Sequence, residues 1–205
     1  SILVPHEAAP VRELEPLPVV RQWSDSEGRT VYDFGQNAGG NVALTVKGAA
    51  GARVIVEHGE VLDKDGQFYN GNYRTAAARL EYVLAGTGEE HYRPYFTFQG
   101  YRYARVTVEG EAEVVEIVSV PISSVTELKA GFTSANPLVN RLFLNTVWSQ
   151  RANFIEVPTD CPQRDERLGW TGDAQVFAGT ACYLGDVHGF FRKWLRDLMA
   201  DQRED

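Results

Sequence analysis

Pro-Thr-Asp-Cys-Pro-Gln-Arg-Asp-Glu-Arg-Leu-Gly-Trp-Thr-Gly-Asp-Ala-Gln, residues 158–175, is the stretch that divides the chain. It holds four acids (Asp160, Asp165, Glu166, Asp173), two arginines (Arg164, Arg167) and Trp170. Pro158, Pro162, Gly169 and Gly172 interrupt it, so it forms neither one regular helix nor one strand. A charge-dense irregular segment between well-patterned apolar segments is a place to look for chemistry.

Upstream of it the pattern is that of strands. Residues 1–15 are polar and proline-punctuated and read as a lead-in, with one edge strand around Pro18–Gln22. Thr30–Phe34 and Asn41–Lys47 alternate as strands do, and the glycine-rich run Gly35–Gly40 between them reads as a loop. Arg53–His58, Arg79–Leu84, Glu90–Tyr95, Tyr101–Val108 and Glu113–Val120 continue the series. Asp63–Gly66 reads as a tight turn, because Asp-Gly favours positive φ. The polar Tyr69–Tyr73 loop is either a ligand contact or an ordinary surface loop. Short strands with Gly-rich turns between them predict an antiparallel β-sandwich of jelly-roll type over residues 16–122.

The texture changes after a linker at 123–133, and residues 134–205 read as helices. Asn136 is placed to cap a helix with Pro137 at its first position. Leu138, Val139, Leu142, Phe143, Leu144, Val147 and Trp148 make an apolar face wide enough for burial on more than one side. Ala174–Tyr183 predicts a second helix closed by Gly185, and Asp186 is placed to cap a third. That third helix carries Phe190, Phe191, Trp194, Leu195, Leu198 and Met199 on one stripe. Three such helices do not close a bundle of their own, so Phe190, Trp194 and Leu198 are expected to leave apolar surface exposed.

Bulk composition narrows the function. With 43% hydrophobic and 23% charged residues the chain is globular material. A formal net charge of −8 argues against nucleic acid, whose phosphates call for a basic surface. No apolar run is long enough for a membrane span, and no secretion leader is visible, which reads as cytoplasmic rather than secreted. Cys161 and Cys182 are expected to be free thiols. They are too far apart, and His6, His58, His91 and His188 too scattered, for a zinc site, so no metal or cofactor is expected.

Three readings of the central stretch remain from its residues alone. Asp160, Glu166 and Asp173 lie six and seven residues apart in a bent segment that can aim several carboxyls at one point. Carboxylates accept hydrogen bonds from vicinal sugar hydroxyls, Trp170 offers an aromatic face to the ring, and a protonated carboxyl can donate to a glycosidic oxygen. Asp165 with Arg164 or Arg167 could equally be an ion-pair staple for the loop. A hard-metal site is the third, although the alternating Asp-x-Asp-x-Asp-Gly pattern of a calcium loop is absent.

The motif resembles the signature of the bacterial α-L-rhamnosidases, glycoside hydrolase family 78. Val31–Asn37, Glu60-Val61-Leu62, Phe98–Tyr103 and Asn145–Gln150 are similar to stretches of the same family, so the resemblance covers nearly all of the chain. It implies an inverting hydrolase of terminal α-L-rhamnosides, with β-sandwich domains before an (α/α)6 barrel. It also implies Glu166 as general acid and Asp160, Arg164, Trp170 and Asp173 as rhamnose contacts; Asp165 and Arg167 match the motif, and no role is carried onto them. Family members are much longer, and their general base is a glutamate far downstream. On this resemblance residues 134–205 are the first helices of an incomplete barrel, the rest of which packs on the C-terminal helices. The competing function is a non-catalytic carbohydrate-binding or scaffold β-sandwich with a docking helical tail.

Overall fold

A computed structural model describes residues 5–203; the outer ends of the lead-in and of the helical span, residues 1–4 and 204–205, lie outside it. The chain separates into two units. The sheet unit is Glu15–Pro121 together with the loop segment Pro162–Asp165. The helical unit takes the residues up to Leu14, Ile122–Cys161 and those from Glu166 onward. The architecture is therefore α+β, strands first and helices after.

The strands follow in chain order: β1 (Arg12–Glu13), β2 (Arg21–Ser24), β3 (Thr30–Gly48), β4 (Arg53–Gly59), β5 (Val61–Leu62), β6 (Phe68–Tyr69), β7 (Arg79–Val83), β8 (Glu89–Tyr92), β9 (Gln99–Glu109) and β10 (Ala112–Ser123). All their pairings are antiparallel. The expected edge strand at Pro18–Gln22 forms instead at β2, where Arg21–Ser24 align with Asp33–Thr30.

The larger correction concerns Gly35–Gly40. It is not a loop: β3 runs unbroken through it for 19 residues. The glycines make a bulge rather than a turn. Gly35 has φ 75°, and the register against β9 slips between Asp33 and Ala38. Asp33 fixes the bulge, accepting from Gly35 N at 2.7 Å and from both arms of Arg102 at 2.7 and 2.8 Å. Burial alone would raise the Asp33 pKa; the Arg102 and Gly35 hydrogen bonds hold it below the ordinary carboxylate value. Gly40 is needed for contact, since a Cβ there would sit 2.2 Å from Val120 O on β10.

β3 is the centre of one eight-stranded sheet and pairs with four strands. The first part of β3 pairs with β2 and β9, the last part with β10 and β8. Inward residues of both parts and their neighbours close one core: Val42, Leu44, Val46 and Ile117 meet Val54, Val56, Ala104 and Val106. Each such Val, Leu or Ile side chain taken from water stabilises the fold by about 1.5–3 kcal/mol. Outside this core, β5 and β6 pack Leu62 and Phe68 on Val31 and Tyr103. The Asp63–Gly66 turn joins them as expected, with Asp63 Oδ1 accepting from Asp65 N and Gln67 N.

In the helical unit, α1 (Pro137–Asn153) starts where expected, with Asn136 Oδ1 accepting from Leu138 N at 2.9 Å. A hairpin of β11 (Phe154–Ile155) and β12 (Val157–Pro158) follows, then α2 (Thr171–Leu184) and α3 (His188–Asp201). Aromatic packing joins them: Phe154 stacks on Phe190 at 4.4 Å and meets Phe177 and Phe191 edge-on. This cluster corrects one expectation, because Phe190 and Trp194 are buried and only Leu198, of the three named residues, is exposed. The wide face of α1 is not buried on several sides either: Leu138 and Leu142 stand 78% and 64% exposed. Asp186 does not cap α3; that position is Val187, and Asp186 only reaches His188 N at 3.4 Å. Both cysteines are free thiols, as expected. Among the described residues no helix is long and apolar enough to cross a membrane.

Two tests of the sheet unit follow from its packing. His58 is fully buried; its Nδ1–H donates to Ala78 O at 2.7 Å, and its Nε2 has no partner beside the Tyr101 ring. Burial therefore pulls its pKa from 6.5 down to about 4. Above pH 6.5 folded and unfolded chains both hold a neutral ring. As pH falls toward 4 the unfolded chain takes the proton first, and stability falls by about 3 kcal/mol. Urea unfolding at pH 7 and pH 4.5 should show His58→Asn losing about 2 kcal/mol less than the parent across that interval. Equal losses would contradict the account. At Gly100 a Cβ would lie 2.7 Å from Pro162 Cγ and 2.8 Å from Gln163 N. Gly100→Ala should then lower stability by about 1–3 kcal/mol, read as a lower thermal midpoint; an unchanged midpoint would contradict the close approach.

Candidate active site

The loop of the central stretch has a fixed neck. Thr159 and Gly169 form an isolated antiparallel bridge. On the α1 side, Thr159 N and Oγ1 both donate to Asn153 O, at 2.8 and 3.0 Å. Gly169 is where it is because a Cβ would come within 2.5 Å of Trp194 Nε1. A loop closed at its neck projects its interior residues with little freedom, which the sequence pattern does not reveal.

Within the helical unit, this neck brings two of the expected residues together. The ligating atoms of Asp160, Cys161 and Glu166 all lie within 4.8 Å of one another. Cys161, buried, donates its Sγ–H to Asp160 Oδ2 at 3.3 Å. The other oxygen, Asp160 Oδ1, is buried and accepts no hydrogen bond. A carboxylate oxygen in that condition is uncommon and calls for a donor. The Glu166 carbonyl is gripped twice, by Leu168 N at 2.8 Å and by Trp170 Nε1 at 3.3 Å. A thiol and two acids this close could also hold a cation. The Cys161–Asp160 hydrogen bond already occupies one pair of those atoms.

Asp160 also opens on a cavity of about 430 Å³, within the ~300–1,000 Å³ typical of small-molecule sites. Asp173, in the first turn of α2, lines it too, so the cavity unites the first and last acids of the motif. Ser149 and Asn153 on the end of α1 and Phe177 on α2 complete much of the wall. These three were not singled out from sequence. Ser149 and Asn153 are spaced i, i+4 and so share a helix face, which was the available signal. Trp170 sits at the N-terminal boundary of α2, 46% exposed, and is not part of the cavity wall.

The motif residues Pro162–Asp165 belong to the sheet unit. Pro162 and Gln163 lie against Gly100, and the Asp165 carboxylate accepts from Thr75 Oγ1. That hydrogen bond, aided by the charge of Arg74, holds the Asp165 pKa below the ordinary value. Asp165 is thus tied to Thr75, whereas the sequence suggested Arg164 or Arg167. Arg164 is half-buried, and its charge acts on Glu60 at the end of β4. Arg167, back in the helical unit, has its pKa lowered by burial, with the nearby Cys161 acting in the opposite direction.

Comparison with known proteins bears on both units. Residues 24–124 match the bacterial α-L-rhamnosidase concanavalin-like domain, and residues 127–205 match the bacterial α-L-rhamnosidase 6 hairpin glycosidase domain. An α-L-rhamnosidase of Streptomyces avermitilis is 44% identical over 197 residues, covering 96% of this chain and 19% of its own. One from an Alteromonas species is 38% identical, covering all of this chain and 22% of its own. The solved structure of the Streptomyces avermitilis α-L-rhamnosidase complexed with L-rhamnose superposes with a TM-score of 0.91 at 43% identity, over 99% of this chain and 20% of that one. The chain thus spans about a fifth of the length of the relatives it matches. Two adjoining family domains, matched in order along the chain and backed by these relatives, establish that it belongs to the bacterial α-L-rhamnosidases, glycoside hydrolase family 78.

Proposed function

We propose that this chain supplies the general acid and part of the sugar subsite of an enzyme that releases terminal α-L-rhamnose from rhamnosides. In this reading residues 16–122 are its β-sandwich domain and 134–205 the first helices of its (α/α)6 barrel. The observation that carries it is the Asp160 carboxyl: one oxygen faces no donor, beside a cavity it shares with Asp173, and Glu166 stands within 4.8 Å. A rhamnose hydroxyl is the donor that oxygen calls for. Asp160 and Asp173 hold the ring by hydrogen bonds; for Trp170 and Arg164 a ring contact is what the resemblance implies.

Glu166 holds the proton and delivers it to the glycosidic oxygen as the bond to the anomeric carbon breaks. Inversion needs a second carboxylate roughly 6.5–9.5 Å away, with a water between the two. The Asp160–Glu166 pair is too close for that water. Asp160 is therefore not the base; the resemblance implies a glutamate far downstream in that role.

Two measurements test this. In the full-length protein Glu166→Gln should cut kcat for alkyl rhamnosides by ~10²–10⁴-fold while L-rhamnose binding persists. The loss should be smaller for a nitrophenyl rhamnoside, whose leaving group needs less proton assistance; turnover unaffected on both substrates would remove Glu166 from the role. Residues 1–205 alone should show no appreciable hydrolysis of either substrate, and robust turnover by a chain of verified mass would place the base within it.

A further inference from the structure

One buried group of the helical unit has no part in the chemistry so far: the Cys161 thiol. It is not part of the wall of the cavity that Asp160 and Asp173 share. Its Sγ nevertheless lies within 4.8 Å of a carboxylate oxygen of Asp160 and of Glu166. The thiol donates to Asp160 Oδ2 at 3.3 Å. Among the described residues this is the hydrogen bond that the Asp160 carboxylate accepts, because Oδ1 has no partner.

The torsion that swings an aspartate carboxylate about its Cβ–Cγ bond is broad, so a carboxylate without a donor does not settle which oxygen it presents. A donor on one oxygen removes that freedom. With Oδ2 engaged by the thiol, Oδ1 is the oxygen left for a ligand. The kind of donor matters as well. A thiol is weak and uncharged, so it orients the carboxylate without cancelling its charge. A lysine or arginine there would form a charge-assisted pair roughly twice as strong as a neutral one, and would draw off the acceptor strength that a sugar hydroxyl needs. The backbone beneath the pair is fixed too, since Thr159, directly before Asp160, is bridged to Gly169 and tied to Asn153.

We infer that Cys161 is a positioning residue of the sugar subsite: its S–H fixes the Asp160 carboxylate so that Oδ1 is presented to a rhamnose hydroxyl. The inference rests on the proposed reading of Asp160 as a sugar contact. Cys161 acts through Asp160 and not on the sugar. Orientation set before binding raises affinity, because the sugar then does not have to freeze the carboxylate itself.

The test is made in the full-length protein, on L-rhamnose binding and on kcat/KM for a nitrophenyl rhamnoside. Cys161→Ala and Cys161→Val both remove the donor, and the valine still fills the space. Each should weaken L-rhamnose binding and lower kcat/KM by roughly three- to tenfold, the range for one neutral hydrogen bond. Cys161→Ser, which keeps a donor, should recover part of the loss. A thiol that only fills space predicts the opposite order, with the valine variant close to the parent and the serine variant worse. Should Cys161→Ala not fold, Cys161→Val is read in its place. In an Asp160→Ala background Cys161→Val should change kcat/KM by less than about twofold. Binding and kcat/KM untouched by Asp160→Ala would overturn both the reading of Asp160 and the inference. A loss for Asp160→Ala with none for Cys161→Val, or a Cys161→Val loss undiminished without Asp160, would overturn the inference and leave the reading standing.

Discussion

A loop that presents two carboxyl groups within 4.8 Å of each other cannot be left to find that geometry on its own. Fixing each residue of such a loop costs about 1–2 kcal/mol of backbone entropy. The chain meets this with a neck, the Thr159–Gly169 bridge, tied back to the end of α1 through Asn153. What surrounds the neck follows from keeping it shut. Gly169 is bare so that Trp194 can pack there, and Trp194 is buried because α3 returns past Phe154. The aromatic cluster of the helical unit is thus the support of the loop as much as it is a core.

The same economy appears in the sheet unit, where irregularities carry the fit. The β3 bulge is held by the Asp33–Arg102 pair where the register against β9 shifts. Gly100 is bare where Pro162 and Gln163 come down, and Thr75 takes Asp165. These are contacts of side chains distant in sequence. They explain why the motif alternates prolines, charges and glycines: each kind of residue answers a different neighbour.

Much of this was legible beforehand. Strands with period two, the Asp63–Gly66 turn and the Asn136 cap are local features, and each appears where its local chemistry places it. Failures came where distant contacts decide. Gly35–Gly40 looked like a loop because glycine signals turns, but paired strands on both sides keep it extended. Phe190 and Trp194 looked uncovered because the stripe of α3 does not announce Phe154 and Gly169 as its partners. In the candidate site, composition alone could not choose among sugar site, ion-pair staple and metal site. The motif's resemblance implies the first, and the geometry adds the unpartnered Asp160 oxygen and the cavity shared with Asp173. Nothing local in the sequence could show the Thr75 bond to Asp165.

The central claim is that Asp160 Oδ1 is held without a partner so that a rhamnose hydroxyl can become one. A crystal structure of the full-length protein soaked with L-rhamnose tests it directly. The account predicts a sugar hydroxyl about 2.7 Å from that oxygen, in the cavity that Asp160 shares with Asp173. A rhamnose bound elsewhere, or bound with that oxygen turned to a protein donor, would contradict it.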